Sequence, residues 1–261
     1  MAKKLYILSS GAGGTEYMTT EALKALEDCE VVVGYRNYIK ELKEIIGDKP
    51  VFMSGMTKEI ARCQEAINYA NEGKTTCIIS NGDVNVFGMA TLITELMDEQ
   101  QRWDDIEVIS VAGVTSFLAT ASRIGAPISQ DFAVISLSDK LTDIDLIDKR
   151  IHNCLDADMI IGIYNPKSKK RILPYQNFLK RLGEGEERIA IIASHVGREA
   201  EKITVTTTTD LIEQDIEHPL VSMSTLIIVG NSQTRHTSNG QVLTPRGYLN
   251  KYEMSGELKD K

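Results

Sequence analysis

The chain has 261 residues, enough for one large core or two modest ones, and two domains is the expectation; its 42% hydrophobic and 25% charged residues describe a folded globular protein with disorder expected only in the polar tail after Tyr252. A formal net charge of −8 argues against a general nucleic-acid binder, which needs a basic surface, and leaves room for an anionic small ligand where positive charge is concentrated. No apolar run approaches the roughly 20 residues of a membrane span, and the opening "MAKKLYILSS" is too short in its apolar part for a secretory signal, so a cytoplasmic protein is expected.

In chain order, "LYIL", "EVVVG", "PVFMS", "TTCIIS" and "IEVISV" read as strands of the first half. Amphipathic stretches lie between most of them. In "TTEALKALEDCE" the helical face is Ala22, Leu23 and Leu26, with Thr19 or Thr20 as cap and Glu21 suited to the positive end of the helix dipole. In "KEIARCQEAINYANEGK" the face is Ile60, Cys63, Ala66, Ile67 and Ala70, and Gly73 is the stop. Such alternation implies a largely parallel sheet covered on both faces. The second half offers "FAVISLS", "DMIIGIY", "RIAIIAS", "KITVTTT" and "STLIIVG" with fewer helices between them, so a mixed sheet is expected there. Gly125 and Pro127 in "SRIGAPISQD" punctuate the join. The expected organisation is an N-terminal α/β domain over residues 1–120, a C-terminal α/β domain over 121–250 and a polar tail over 251–261. Cys29, Cys63, Cys77 and Cys154 lack CxxC spacing and read as reduced core thiols rather than a zinc site or disulfide framework.

The glycine-rich opening "GAGGTEYMT" lacks the lysine of a phosphate-binding Walker loop. It also departs from a dinucleotide fingerprint, because Tyr17 stands at or near the place of the third glycine. Taken alone it equally suits a tight strand-to-helix turn using glycine for positive φ. In "SNGDVNVFGMATL", Asp83 sits in a loop after a strand, and Gly88 opens a helix carrying Met89, Leu92, Ile93 and Leu96. The Asp83 carboxylate could accept from a hydroxyl- or amine-bearing ligand, or form an Asx-turn with the amides of its own loop.

Together with "VVVGYRNYI", "SGMTKEIARCQEAI", "AGVTSFLATASRIGAP", "DFAVISLSDKLT", "YNPKSKKR", "VGNSQT" and "TPRGY", these stretches resemble the tetrapyrrole methylase family. Within it the resemblance is to the branch that methylates ring carbon 17 of precorrin-3B or cobalt-factor III type macrocycles in cobalamin biosynthesis. The resemblance implies a homodimer of two-domain α/β chains with S-adenosylmethionine (SAM) in the cleft between the domains, and no metal bound by the protein. By position it carries cofactor contact to Gly11, Ala12 and Gly13, to Asn81, Gly82, Asp83 and Val86, to Thr115 and Ser116, and to Asn165, Ser224 and Thr225. The usual GPGD of the opening loop is here Gly11, Ala12, Gly13 and Gly14, and the usual GDAGIYGMA has Val84, Asn85 and Phe87 substituted. Where the branch glycine takes positive φ, Asn85 is among the few residues that tolerate it. Ala112 also replaces a usual proline.

A SAM methyl group is already electrophilic, so alignment with a nucleophilic carbon is the main requirement. His152, His195, His218 and His236 show no ligand spacing; His195, ending a strand, has the best functional claim. A polycarboxylate macrocycle needs local cations, for which Lys58, Arg62, Lys167, Lys169, Lys170, Arg171, Arg198 and Arg246 are candidates. Arg62 and Arg246 lead for substrate binding, because a guanidinium suits bidentate carboxylate contact. The run "KSKKR" also reads as a solvated helix start. The ring contraction that the resemblance implies calls for an acid or base. Tyr35, at the position of an acid/base residue in a wider-family relative, Lys58 and Asp139 are candidates; Tyr35 and Tyr38 could orient the ring or transfer a proton. Rival readings are a relative that binds SAM or tetrapyrrole without turnover and a nicotinamide-dependent oxidoreductase. No nucleic-acid or membrane partner is expected.

Overall fold

Strands apolar on both faces and separated by helices bury themselves as a parallel sheet between two helical layers. The computed structural model describes residues 3–259, so the first two residues of the opening and the last two of the tail lie outside it. The described chain folds as two α/β units, one running to Ala119 and including Gly197–Glu199, the other Thr120–Val196 with Ala200 onward.

In the first unit the order is β1 (Lys3–Ser9), α1 (Thr20–Asp28), β2 (Val31–Tyr35), α2 (Arg36–Glu41), α3 (Lys43–Ile46), β3 (Val51–Ser54), α4 (Glu59–Asn71), β4 (Thr76–Ser80), α5 (Ala90–Glu99), β5 (Ile106–Val111) and the start of α6 (Ser116–Ile124). All five strands pair in parallel in the order β3-β2-β4-β1-β5. Successive side chains point to opposite faces. Leu5, Ile7, Val31, Val33 and Ile78 pack with Cys63, Ala66, Ile67, Ile93 and Met97 of α4 and α5. On the other face Leu8, Val32, Cys77 and Ile79 meet Ala22, Leu26, Ile39, Leu42 and Ile46 of α1 to α3. Thr19 is the cap of α1, its hydroxyl accepting from Ala22 N at 3.1 Å. Two residues of the expected faces lie outside: Leu23 is exposed where Ala25 is buried, and Ile60, in the first turn of α4, precedes a buried stripe that opens with Arg62 and Cys63.

The second unit continues with β6 (Gly125–Ala126), β7 (Phe132–Ser136), α7 (Ile144–Asp156), β8 (Ile160–Tyr164), α8 (Leu173–Gly183), β9 (Ile189–Ser194), β10 (Lys202–Thr207), α9 (Thr208–Gln214), β11 (Thr225–Val229), β12 (Arg235–His236), β13 (Val242–Leu243) and α10 (Tyr248–Lys251). Its main sheet, β10-β9-β11-β8-β7, is mixed as expected: β7 and β8 are parallel, while β11 runs antiparallel to β8 and β9. Ile161, Ile163, Ile192 and Ile227 pack under Ile147, Ile151, Tyr175, Phe178 and Leu211 of α7 to α9. The run "KSKKR" is not a helix start: Ser168 and Arg171 close a bridged turn, and α8 begins at Leu173. Within the tail Tyr252 pairs with Leu258, and Lys259 N donates to Lys251 O at 3.0 Å.

Candidate active site

The order of the parallel sheet places the site loops. From β1 the chain leaves toward β2 on one side, and from neighbouring β4 it leaves toward β5 on the other. The two loops therefore cross over the carboxyl edge, where an open α/β sheet offers its ligand site. At the crossing Gly11 and Gly82 exchange backbone hydrogen bonds, Gly82 N to Gly11 O at 2.7 Å and Gly11 N to Gly82 O at 3.1 Å. Gly11 has φ +74°, and a Cβ there would stand 2.4 Å from Tyr17 O, so only glycine allows the approach. Ser9 Oγ accepts from Val84 N at 2.9 Å, and Gly113 N after β5 donates to Asp83 Oδ2 at 2.9 Å.

Asp83 satisfies the Asx-turn reading, for its Oδ1 also accepts Asn85 N at 2.8 Å. Each of its oxygens keeps acceptor capacity beyond the one loop amide it holds. Val86 N bonds Asp83 O at 3.1 Å, and Thr115, buried at the entry to Ser116 and α6, lies beside Gly82. Positive φ in this loop falls on Gly82 and Phe87, not on Asn85, which is exposed.

A strap closes the crossing from above. Gly197 O accepts Gly14 N at 3.0 Å, and Gly13 lies so close that a Cβ on it would stand 2.0 Å from Gly197 O. Arg198 donates through Nη1 to Ala12 O at 2.8 Å, through Nη2 to Asn81 Oδ1 at 2.9 Å, and through Nε and Nη2 to the Glu41 carboxylate at 3.0 Å each. Sequence reading offered Arg198 as a substrate cation; its fork is instead spent on the protein. The three acceptors lie 117 to 186 residues away in the chain, so no local pattern could announce them.

The same sheet edge carries a second group at the ends of β2 and β3. Arg62, only 4% exposed, donates through Nη1 to Ser54 Oγ at 2.7 Å and to Gly55 O at 3.3 Å. Its Nε is buried without a partner, and no described carboxylate pairs with it. The guanidinium carbon stands 6.0 Å from the centre of the Tyr35 ring, which meets Tyr38 edge-on at 5.1 Å. Burial pushes the Tyr38 phenol above its ordinary pKa, against the pull of Arg198. Lys58 is exposed at the N-cap of α4.

In the second unit, parallel β7 to β9 and antiparallel β11 bring Ser136, Asn165, His195 and Thr225 to one sheet edge. Asn165 takes φ +51° and donates through Nδ2 to Ser136 Oγ at 3.0 Å, while its carbonyl accepts Arg171 Nη2 at 2.7 Å. His195, at φ +53°, is held between Ser194 Oγ at 2.8 Å and Ser224 Oγ at 3.4 Å. The Thr225 hydroxyl is committed to its own turn, donating to Leu220 O and accepting from Ser222 N. Arg171 is a structural cation, bonded to Leu137 O and Asn165 O beside Asp139, and burial pulls its pKa down. Lys167 donates to Ile216 O, whereas Lys169, Lys170 and Arg246 are exposed. Among the described residues no helix is long and apolar enough to cross a membrane.

A family model described as Tetrapyrrole (Corrin/Porphyrin) Methylases matches residues 4–212, and the chain belongs to that family. It is a two-domain α/β enzyme of the methyltransferase class, which sets aside the oxidoreductase reading. Similar proteins include the probable cobalt-factor III C(17)-methyltransferase of Salmonella typhimurium, 40% identical over 94% of this chain and 99% of that one. The precorrin-3B C(17)-methyltransferase of Sinorhizobium sp is 34% identical over 95% and 98%. The crystal structure of the methyltransferase CobJ matches with a TM-score of 0.83 at 28% identity, over 92% of this chain and 99% of that chain.

Proposed function

We propose that the chain transfers a methyl group from SAM to ring carbon 17 of a cobalt-factor III or precorrin-3B type tetrapyrrole, with coupled ring contraction, in cobalamin biosynthesis. The observation that carries this reading is a single sheet edge holding both a glycine-lined loop crossing and, at Arg62, a buried guanidinium with no carboxylate of its own. The loops suit SAM: glycine at Gly11 and Gly82 bares the backbone, the Asp83 oxygens keep acceptor capacity for hydroxyl donors, and Asn81 Nδ2 has no described partner. When bound, SAM supplies an electrophilic methyl group on its sulfonium.

Gly11, Ala12, Gly13, Asn81, Gly82, Asp83, Val86, Thr115 and Ser116 hold the cofactor in this reading. Arg62 binds a carboxylate of the macrocycle, for a charge-assisted hydrogen bond to an anion completes its buried fork. The half-buried Tyr35 phenol, beside the Arg62 cation, moves the proton that the contraction requires, with Lys58 as the alternative group. Arg246 is a second substrate cation, and any cobalt belongs to the substrate. Assembly as a homodimer in the cytoplasm completes the proposal, and sedimentation velocity tests its dimeric part.

The deciding experiment incubates the protein anaerobically with methyl-labelled SAM and cobalt-factor III. Label transferred to the tetrapyrrole supports the reading. Label remaining on SAM, with both ligands bound, makes the chain a binding protein instead.

A further inference from the structure

Arg198 uses four of its five N–H groups at once: one on Ala12 O in the opening loop, one on Asn81 Oδ1 in the second loop, and two on Glu41 at the end of α2. Arginine has no acceptor atom, so the Asn81 amide can face it only with its oxygen. That fixes the orientation of the amide. Its NH₂ is turned away from Arg198 and donates to no described residue, although Asn81 is half-buried beside the Gly11–Gly82 crossing. The bidentate pair with Glu41 holds the fork in one plane, and a lysine ammonium, a point donor, could not span the same three acceptors.

We propose that Arg198 is a positioning residue for the cofactor: it pins the two crossing loops together and locks Asn81 so that Nδ2 is presented as a donor to an acceptor group on a bound S-adenosyl ligand. The proposal rests on the SAM reading above. It makes Asn81 a specificity determinant for acceptor-bearing ligands at this spot, and it gives the strap a role in affinity as well as in folding.

Asn81→Asp separates the two roles. A carboxylate keeps, and strengthens, the bond to Arg198, but it replaces the outward donor with an acceptor. The expected result is a melting temperature equal to or above wild type, with S-adenosylhomocysteine binding weakened at least tenfold in calorimetry. Arg198→Lys should also weaken that binding at least tenfold, and should speed amide exchange at Gly11 and Gly82 in the ligand-free protein. At saturating SAM its kcat should stay within about threefold of wild type while KM for SAM rises.

Unchanged affinity in Asn81→Asp overturns the proposal. So does an Arg198→Lys variant that melts lower yet binds normally, since that outcome marks a purely structural strap. If the wild type fails to bind S-adenosylhomocysteine at all, the SAM reading fails with it. The clamp is then judged on exchange alone: faster exchange at Gly11 and Gly82 in Arg198→Lys upholds the pinning, and equal exchange rejects it.

Discussion

Replacing Arg62 by methionine tests whether the buried guanidinium serves the fold or a ligand. In the structure its returns are one charge-assisted bond at 2.7 Å, worth about 1.5–3 kcal/mol, a longer one at 3.3 Å worth about 1 kcal/mol at most, and a cation–π contact with the Tyr35 ring at 6.0 Å worth about 0.5–2 kcal/mol. Against these stand the desolvation of an ion with no described carboxylate, several kcal/mol, and an orphaned Nε that costs about 1–3 kcal/mol. The balance is near zero or unfavourable. Methionine refills the volume on the buried face of α4, and the half-buried Ser54 and Gly55 can turn to water. Arg62→Met should therefore melt within about 3 °C of wild type, or above it, since 1 kcal/mol moves a chain of this size by about 2–4 °C. Losing a charge-assisted carboxylate contact of about 2–4 kcal/mol should meanwhile weaken tetrapyrrole binding by about 30- to 700-fold. Calorimetric melting paired with anaerobic absorbance titration of cobalt-factor III reads both quantities. A drop of more than about 8 °C with unchanged tetrapyrrole affinity would refute the reasoning and make Arg62 a structural residue.

Gly13→Ala places a Cβ 2.0 Å from Gly197 O without any φ strain, so it must push the strap off the opening loop and break the Gly14–Gly197 bond; a loss of about 2–4 kcal/mol is expected in denaturant melts. Tyr175→Phe removes a fully buried hydroxyl that lacks a partner, and should raise the midpoint of unfolding by up to about 1 kcal/mol equivalent. Burial, and then the nearby Lys167, pull the His218 pKa down, and its Nδ1 accepts Leu220 N at 3.2 Å. Its folded pKa is depressed below 6.5, so the stability it contributes is complete above pH 6.5 and is lost as pH falls through the folded value. His218→Gln should flatten that acid slope in pH-resolved melts. Asp148, lowered from 3.8 by its bond to Arg181, behaves alike at lower pH: its contribution is present above 3.8 and lost below it, and Asp148→Asn should abolish that step.

All ten strands expected from apolar runs form, because a run of β-branched and aliphatic residues between helices has few ways to bury both faces. The helical faces were legible to within a turn. Leu23 and Ile60 were misplaced because a period of 3.6 names a stripe but not where a covering layer ends. Within the site, sequence read the loops but not their fastenings. Asp83 was visible as a loop carboxylate, yet which amides it holds depends on Gly113, thirty residues on. Arg62 was chosen for its chemistry, and its burial came only from the packing of α4 against the ends of β2 and β3. The charged run 167–171 misled, since composition cannot tell a solvated lysine from an arginine bonded to two carbonyls.

Four of the five positions at which the two loops depart from the pattern the resemblance implies, Ala12, Gly14, Val84 and Asn85, fall where backbone atoms carry the contacts; the fifth, Phe87, is exposed at φ +55°. Ala12 contributes its carbonyl to Arg198, Val84 its amide to Ser9 Oγ, Asn85 its amide to Asp83 and Gly14 its amide to Gly197. Each of these bonds survives a change of side chain so long as the main chain keeps its path. The path itself is set by Gly11 and Gly13, where a Cβ has no room, and by the Arg198 fork. The proline and the acidic side chain that the resemblance implies for the opening loop are therefore worth less to its path than their replacement suggests. Rigidity that proline would supply within the loop is supplied here by the strap from outside it, through an ion pair with α2 that lies in the same unit. Variation in these loops is tolerable at side chains and costly at the glycines and the arginine, which is where substitutions will separate a working site from an inert one.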